Sequence, residues 1–387
     1  MSHQEIDEAV QTLIQKARTI SREVASPHAA DVDRSGRFPQ ESMGALAESG
    51  LLGICVDRAH GGLGQGPRTF TAIADELAQG CASTAMIYVM HVTAAQAIAA
   101  SPVLATRDGL LRDIAAGKHL TTLALSERGS RSNFWAPVSQ LRPAGDGFTV
   151  SAQKSWVTAA DHADSYVASS QVPGAASPLE STCYLVRRGA TGVRTMGRFD
   201  GMGLRGNESS PVALSDVAIA RGDLVSEPGK GAATKLEVVL PWFAAGTAAM
   251  ANGLCAAAIA ATVDHLSSSE LEHTGQKLRD LPNLRGRVAL MYARTEASRA
   301  LVARTTSEME SAAPTAPLYV LSSRLAALEA ALEVTDLAMK ACGGAAFSRQ
   351  VPVDRHFRDA RAGWVMAPTV DHLQDFLGKA LTGLPLF

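Results

Sequence analysis

The chain has 387 residues, more than one small core organises, and implies two or three structural units. With 46% hydrophobic and 19% charged residues it has the composition of a packed globular protein, and its net charge of −2 gives no footprint for nucleic acid or an anionic membrane. Five scattered cysteines without a C-x-x-C argue against a disulfide framework or a metal site, and for a reducing, cytoplasmic setting.

The first residues, Met1-Ser2-His3-Gln4-Glu5, carry neither a basic nor an apolar leader pattern, so no secretory signal is expected. Ile6, Val10, Leu13, Ile14, Ala17 and Ile20 recur at helical spacing and predict a helix over 5–25. After Pro27, residues 31–39 read as a polar turn leading to a second helix, Gln40 to Ser49. Gly50 to Ile54 reads as the end of that helix and the start of an extended run. The glycines from Gly61 to Gly66 do not make a dinucleotide motif, because Pro67 stands where the last glycine is needed. Helices are predicted again over 67–119, most clearly Thr71–Gln79 and Thr84–Ala100. His91 lies in the second of these, as a core histidine or as a proton donor near a site.

From Thr121 the texture changes to short β-rich runs separated by Gly, Pro and Asp, the pattern of a small barrel or sandwich. Two runs stand out: Leu123-Ala124-Leu125-Ser126-Glu127-Arg128-Gly129-Ser130-Arg131-Ser132-Asn133 and Lys154-Ser155-Trp156-Val157-Thr158. Between them Asp146-Gly147, flanked by alternating apolar residues, predicts a hairpin that sets the two runs on neighbouring strands. An indole, hydroxyls and free backbone amides on one surface suit a flat, electron-poor ring with a phosphate tail. After Gly229–Gly231 the chain is helical. The stretch between Glu237 and Asp264 contains no charged residue and is long enough to span a bilayer. Its alanines, Pro241, Asn252 and Gly253 favour a helix buried inside a bundle, without membrane insertion. Leu321, Leu325, Leu328, Leu332 and Met339 form a second apolar seam, and the region reads as an antiparallel four-helix bundle.

These runs resemble the acyl-CoA dehydrogenase superfamily, whose flavin motifs read roughly A-L-T-E-P-x-x-G-S-D and K-x-W-I-T-N. Further similarity lies in Arg34-Ser35-Gly36-Arg37-Phe38-Pro39, in Gly201-Met202-Gly203-Leu204-Arg205 and in Gly343-Gly344 followed by Arg358-Asp359-Ala360-Arg361. The resemblance implies an α+β chain: an N-terminal helical domain over 1–120, a middle β-barrel or sandwich domain over 121–231 and the C-terminal four-helix bundle over 232–387. It implies FAD as cofactor, contacted by Leu125 and Ser126 at the pyrimidine edge and by Ser132 and Thr369 at the pyrophosphate. Trp156 would cover the ring, Thr158 would bond near its reactive nitrogen, and Gly343 and Gly344 would serve the cofactor's tail. It also implies an acyl thioester substrate on CoA or an acyl-carrier protein, an electron acceptor or flavin reductase as partner, and a homodimer or homotetramer.

The family's general base is a Glu six residues beyond R-D-A-[RK]; here Ala367 takes that place, followed by Pro368 and Thr369. The alternative seat of the base, on the helix opening the bundle, is occupied by Val239. Asp371, four residues after Ala367, is the nearest substitute base, or simply an acid in a first helical turn. The family's R-x-x-F-G becomes Leu271-Glu272-His273-Thr274-Gly275, which loosens the adenine half and opens FMN as an alternative cofactor. Three activities follow: a non-standard oxidoreductase on an acyl thioester, a reduced-flavin monooxygenase of the same fold, or a non-catalytic homologue acting as a subunit or binding partner.

Overall fold

The computed structural model describes residues 3–386. The opening helix does not stop near Pro27. Helix α1 (His3–Thr19) widens into a π-helical turn over Ile20–Ala25 and continues as α2 (Ser26–Ser35). A wider turn relieves the clash a proline ring makes with the preceding turn, so the helix passes through. The turn predicted over 31–39 is therefore shorter, beginning only at the left-handed Gly36. Helix α3 (Gln40–Glu48) follows. The extended run expected after Gly50 is instead a 3₁₀ turn, Leu51–Gly53. Helices α4 (Pro67–Gly80), α5 (Ala82–Ala99) and α6 (Arg107–Ala115) complete this part; α5 is buried almost all round.

The β-rich segment forms two sheets. In one, β1 (Thr121–Ala124) pairs in parallel with β4 (Ser165–Gln171), which pairs antiparallel with β5 (Ser181–Arg187). The other has the order β2 (Leu141–Ala144), β3 (Gly147–Val157), β7 (Ser210–Ile219), β6 (Val193–Thr195), all antiparallel. Inward residues from both, such as Leu123, Val167, Val150 and Val217, join one core. The hairpin turn is Gly145-Asp146, one residue earlier than expected, because Ala144 pairs with Gly147. The first run is not on a strand of that hairpin, since β1 belongs to the other sheet.

A single turn, α7 (Gly231–Ala233), and a π-helical turn (Thr234–Val239) lead into α8 (Leu240–Ser268). A small hairpin, β8 (Glu270–Leu271) and β9 (Gln276–Lys277), precedes α9 (Pro282–Glu310) and α10 (Ala316–Cys342). The helices α8, α9 and α10 pack on one another. Then α11 (Gly344–Phe347), α12 (Val353–Val365) and α13 (Val370–Thr382) follow, with α12 and α13 laid against α10. Helices α5 and α8 are both long and apolar enough to cross a membrane, and both are mostly buried within the fold. The small residues of α8 serve close approach: a Cβ on Gly253 would sit 2.1 Å from the Asp75 carbonyl of α4.

The three parts are fastened at α12. Arg358 donates to both carboxylate oxygens of Asp33 on α2 (2.8 and 2.6 Å) and to the Met202 carbonyl (3.0 Å). Its neighbour Asp359 accepts the Leu204 N–H at 2.6 Å. A Cβ on Gly203 would fall 2.3 Å from the Arg358 carbonyl, so only glycine permits this contact. Burial pushes the Asp359 carboxyl up to about 6. A carboxyl raised in the folded state contributes stability at acid pH that is lost as pH rises through its folded value. Melting temperature should therefore fall between about pH 4 and pH 6, and Asp359→Asn should remove that slope. Melting curves of both proteins at pH 5 and pH 8 check this.

Candidate functional site

The two runs singled out in the sequence meet through the backbone. Arg128 N–H donates to the Gln153 carbonyl (3.1 Å), Ser155 N–H to the Ser126 carbonyl (2.9 Å), and Glu127 bridges Lys154 antiparallel. Leu125 is buried and Ser126 half-buried beside Ser155. The pairing of β3 with β7 slips between Lys154 and Val157, and Trp156 sits in that bulge with a left-handed φ of 58°. A bulge re-aims its side chain. Trp156 is accordingly 68% exposed, meeting Phe199 edge-on at 6.4 Å between centroids. Two residues on, Thr158 is buried with its hydroxyl 3.2 Å from that of Ser209. Arg131 and Ser132 are consecutive left-handed residues (φ 48° and 68°). Such turns present successive N–H groups as an anion-binding concavity.

What fixes this arrangement is a buried pair inside the two motifs. Lys154 Nζ donates to Glu127 Oε1 (2.5 Å) and to the Ser169 carbonyl (2.6 Å). Glu127 Oε2 accepts the N–H groups of Val138 (2.7 Å) and Ser139 (2.8 Å). The Ser139 hydroxyl also donates to Glu127, and a chain of hydroxyls runs on through Ser170 to Tyr184. Burial alone raises the Glu127 carboxyl, but the Lys154 charge and these hydrogen bonds outweigh it and hold the group below its usual value. Sequence reasoning passed over both residues. The signal was there: on β3 the inward positions Val150 and Ala152 predict that Lys154 also points inward.

The remaining candidates divide. Thr369 caps α13, its hydroxyl accepting the His372 N–H and lying 3.1 Å from His372 Nδ1. This cap adjoins the first run, because Trp135, three residues beyond Ser132, packs its ring on His372 and Phe376 of α13. Gly343 and Gly344 form the junction of α10 and α11. Ala367 is half-buried in the link between α12 and α13, and Val239 is buried at the start of α8. Asp371 is exposed in the first turn of α13, without a hydrogen bond or ion pair among the described residues.

His91 is corrected. Its Nε2 lies 3.2 Å from the Leu52 carbonyl and its Nδ1 3.1 Å from the Thr121 nitrogen, which fits a neutral ring donating at Nε2 and accepting at Nδ1. Burial lowers its pKa to about 4. With both nitrogens engaged by backbone, the ring clamps β1 to the N-terminal helices and has no proton to offer. His91→Leu strands two buried backbone groups and should cost roughly 2–4 kcal/mol by denaturant melting. The same variant should leave the absorbance of bound flavin unchanged; a large spectral change would return His91 to the site.

Three family models match in order: the N-terminal domain of acyl-CoA dehydrogenase over residues 7–118, the middle domain over 122–217 and the C-terminal domain over 229–377. The chain belongs to the acyl-CoA dehydrogenase family. It is 27% identical over 362 residues to the mitochondrial short-chain specific acyl-CoA dehydrogenase of Bos taurus, covering 92% of this chain and 86% of that one. The butyryl-CoA dehydrogenase from Megasphaera elsdenii superposes with a TM-score of 0.91 at 22% identity, over 96% of this chain and 98% of that chain. An FAD complex of PigA superposes with a TM-score of 0.89 at 18% identity, over 99% and 98%. Family members bind FAD, which makes FAD the cofactor, as the sequence implied. The chain's own residues fit that group: a large indole left in the open at a bulge, and a left-handed turn whose amides suit phosphate in the run bonded to that strand.

Proposed function

We propose that this member of the family is a flavin-dependent oxidoreductase acting on an acyl thioester by a route that does not draw the α-proton onto the family's usual base. What supports the reading is that the two positions the family resemblance assigns to the base hold Ala367 and Val239, both apolar, while Asp371, four residues along the chain from Ala367, is exposed. A positioned base contributes roughly 10²–10⁴-fold, so plain α,β-desaturation is disfavoured. Loss of CO₂ from an α-alkylated malonyl-type acyl group, whose own carboxylate is the leaving group, is one route that reaches the enolate without it and leaves a β-hydrogen to be oxidised.

Bound FAD supplies a two-electron acceptor. Trp156, Thr158, Leu125 and Ser126 would hold its ring, and Ser132 and Thr369 its phosphates. The acyl group is carried on CoA or a carrier protein, and a separate acceptor removes the electrons. No observation favours the monooxygenase reading, since His91 is engaged elsewhere.

Trp156→Ala and Ser132→Ala should each lower the FAD retained through gel filtration at least several-fold. Full occupancy in both would move the site. The activity is tested by anaerobic mixing of the FAD-loaded protein with acyl thioesters, where bleaching of the yellow colour is expected. A protein that binds FAD but bleaches with none of them is no oxidoreductase of this substrate class.

A further inference from the structure

The least ordinary residue in the fold is Arg324. It lies on α10 three residues after Leu321 and four before Leu328, on the inward seam, and it is wholly buried. Its Nη1 donates to the Thr247 hydroxyl of α8 at 2.6 Å, and its guanidinium lies over the Phe243 ring, 4.5 Å from the centroid. Its Nη2 reaches the carbonyls of Met366 (3.1 Å) and Pro368 (3.4 Å), one on each side of Ala367. Its Nε has no hydrogen-bond partner, and no carboxylate among the described residues is paired with it. Burial lowers its pKa to about 9, so the group remains charged at neutral pH.

A buried ion without a counter-charge is strongly disfavoured, and neutral carbonyls offset only part of that. The geometry is also directional. Thr247 and the Phe243 face hold one end and one face of the guanidinium. The edge formed by Nε and Nη2 is left with one empty position and one long contact. That edge is the side-on fork that takes both oxygens of a carboxylate. It adjoins the link whose residue 367 lacks a carboxylate.

We infer that the acyl group this site takes carries a free carboxylate of its own, for which Arg324 is the specificity-determining counter-charge. This rests on the acyl-thioester reading above. The incoming carboxylate replaces the 3.4 Å contact to Pro368 and fills the vacant Nε. Met366 and Ala367, both half-buried, are the part of the link that must yield to admit it.

The test uses FAD-loaded protein with malonyl, succinyl and glutaryl thioesters, each against the unsubstituted acyl thioester with the same number of carbons. All are supplied on CoA and on pantetheine, the arm common to both carriers. Titration calorimetry, which needs no turnover, should show at least one carboxylated member binding about tenfold or more tighter than its partner, the effect of one gained charged hydrogen bond. That ratio should fall towards one in Arg324→Met and survive in part in Arg324→Lys. Should Arg324→Met fail to fold, the wild-type ratio and the Arg324→Lys variant still decide. Equal or tighter binding of the unsubstituted acyl groups overturns the inference and leaves the acyl-thioester reading standing. A preference that persists unchanged in Arg324→Met also overturns it. Absence of binding by every thioester overturns the acyl-thioester reading itself.

Discussion

Ala367→Glu is expected to create or raise ordinary acyl-CoA dehydrogenase activity by roughly 10²–10⁴-fold, the usual contribution of a positioned general base. Residue 367 lies in the link between α12 and α13, between two carbonyls that Arg324 holds. A carboxylate placed there enters a positively charged surrounding that favours its ionised, proton-accepting form. The measurement is the anaerobic bleaching rate of the FAD-loaded variant with straight-chain saturated acyl-CoAs, compared with the parent protein. An unchanged rate across that panel would show that the pocket is shaped for another substrate, not merely deprived of a base. Asp371→Asn serves as the companion control. If the exposed Asp371 has no part in the chemistry, the variant behaves as the parent does.

Glu127→Gln is expected to cost about 3–5 kcal/mol at neutral pH, the usual loss when one member of a buried ion pair is removed. Lys154 would then keep only the Ser169 carbonyl, and two backbone N–H groups would face a neutral amide. Because the two motifs are joined at this pair, FAD retention should fall with stability. The pH dependence has a definite sign. A carboxyl held below its usual value gives stability that is present above its unfolded pKa and lost as pH falls through the folded one. The gap between parent and variant should therefore narrow in acid. Denaturant melting at pH 7 and near pH 4 checks both statements, and adding Lys154→Met should recover part of the loss by removing the stranded cation. A variant as stable as the parent at pH 7 would mean the pair is not what joins the runs.

Much of this molecule was legible from local chemistry, and the failures share a cause. The helix–strand–helix order follows from periodicity, and the buried character of α8 follows from alanines and glycines that let helices approach. Pro27 misled because a proline normally ends a helix, whereas a wider turn before it lets the chain continue. The hairpin was found but shifted by one residue, since Gly145 supplies the left-handed residue that Gly147 was expected to give. Around the site, hydroxyls and the indole drew attention, while the two charged residues in the same motifs did not. Glu127 and Lys154 lie 27 positions apart, and only the fold shows that each is the other's partner. His91 was ambiguous for the same reason: an apolar helix announces burial but not what the ring will touch. Arg324 lies on the same leucine seam, three residues after Leu321 and four before Leu328, but the seam drew attention to its leucines and not to the cation among them.

The contact of Arg358 with Asp33 spans 325 positions and also takes in the Met202 carbonyl. A side chain near the end of the polypeptide is thus claimed by a helix near its beginning and by a loop midway. Cutting the Gly229–Gly231 connection would not free the bundle to drift away, and heating should melt the whole molecule in a single cooperative transition.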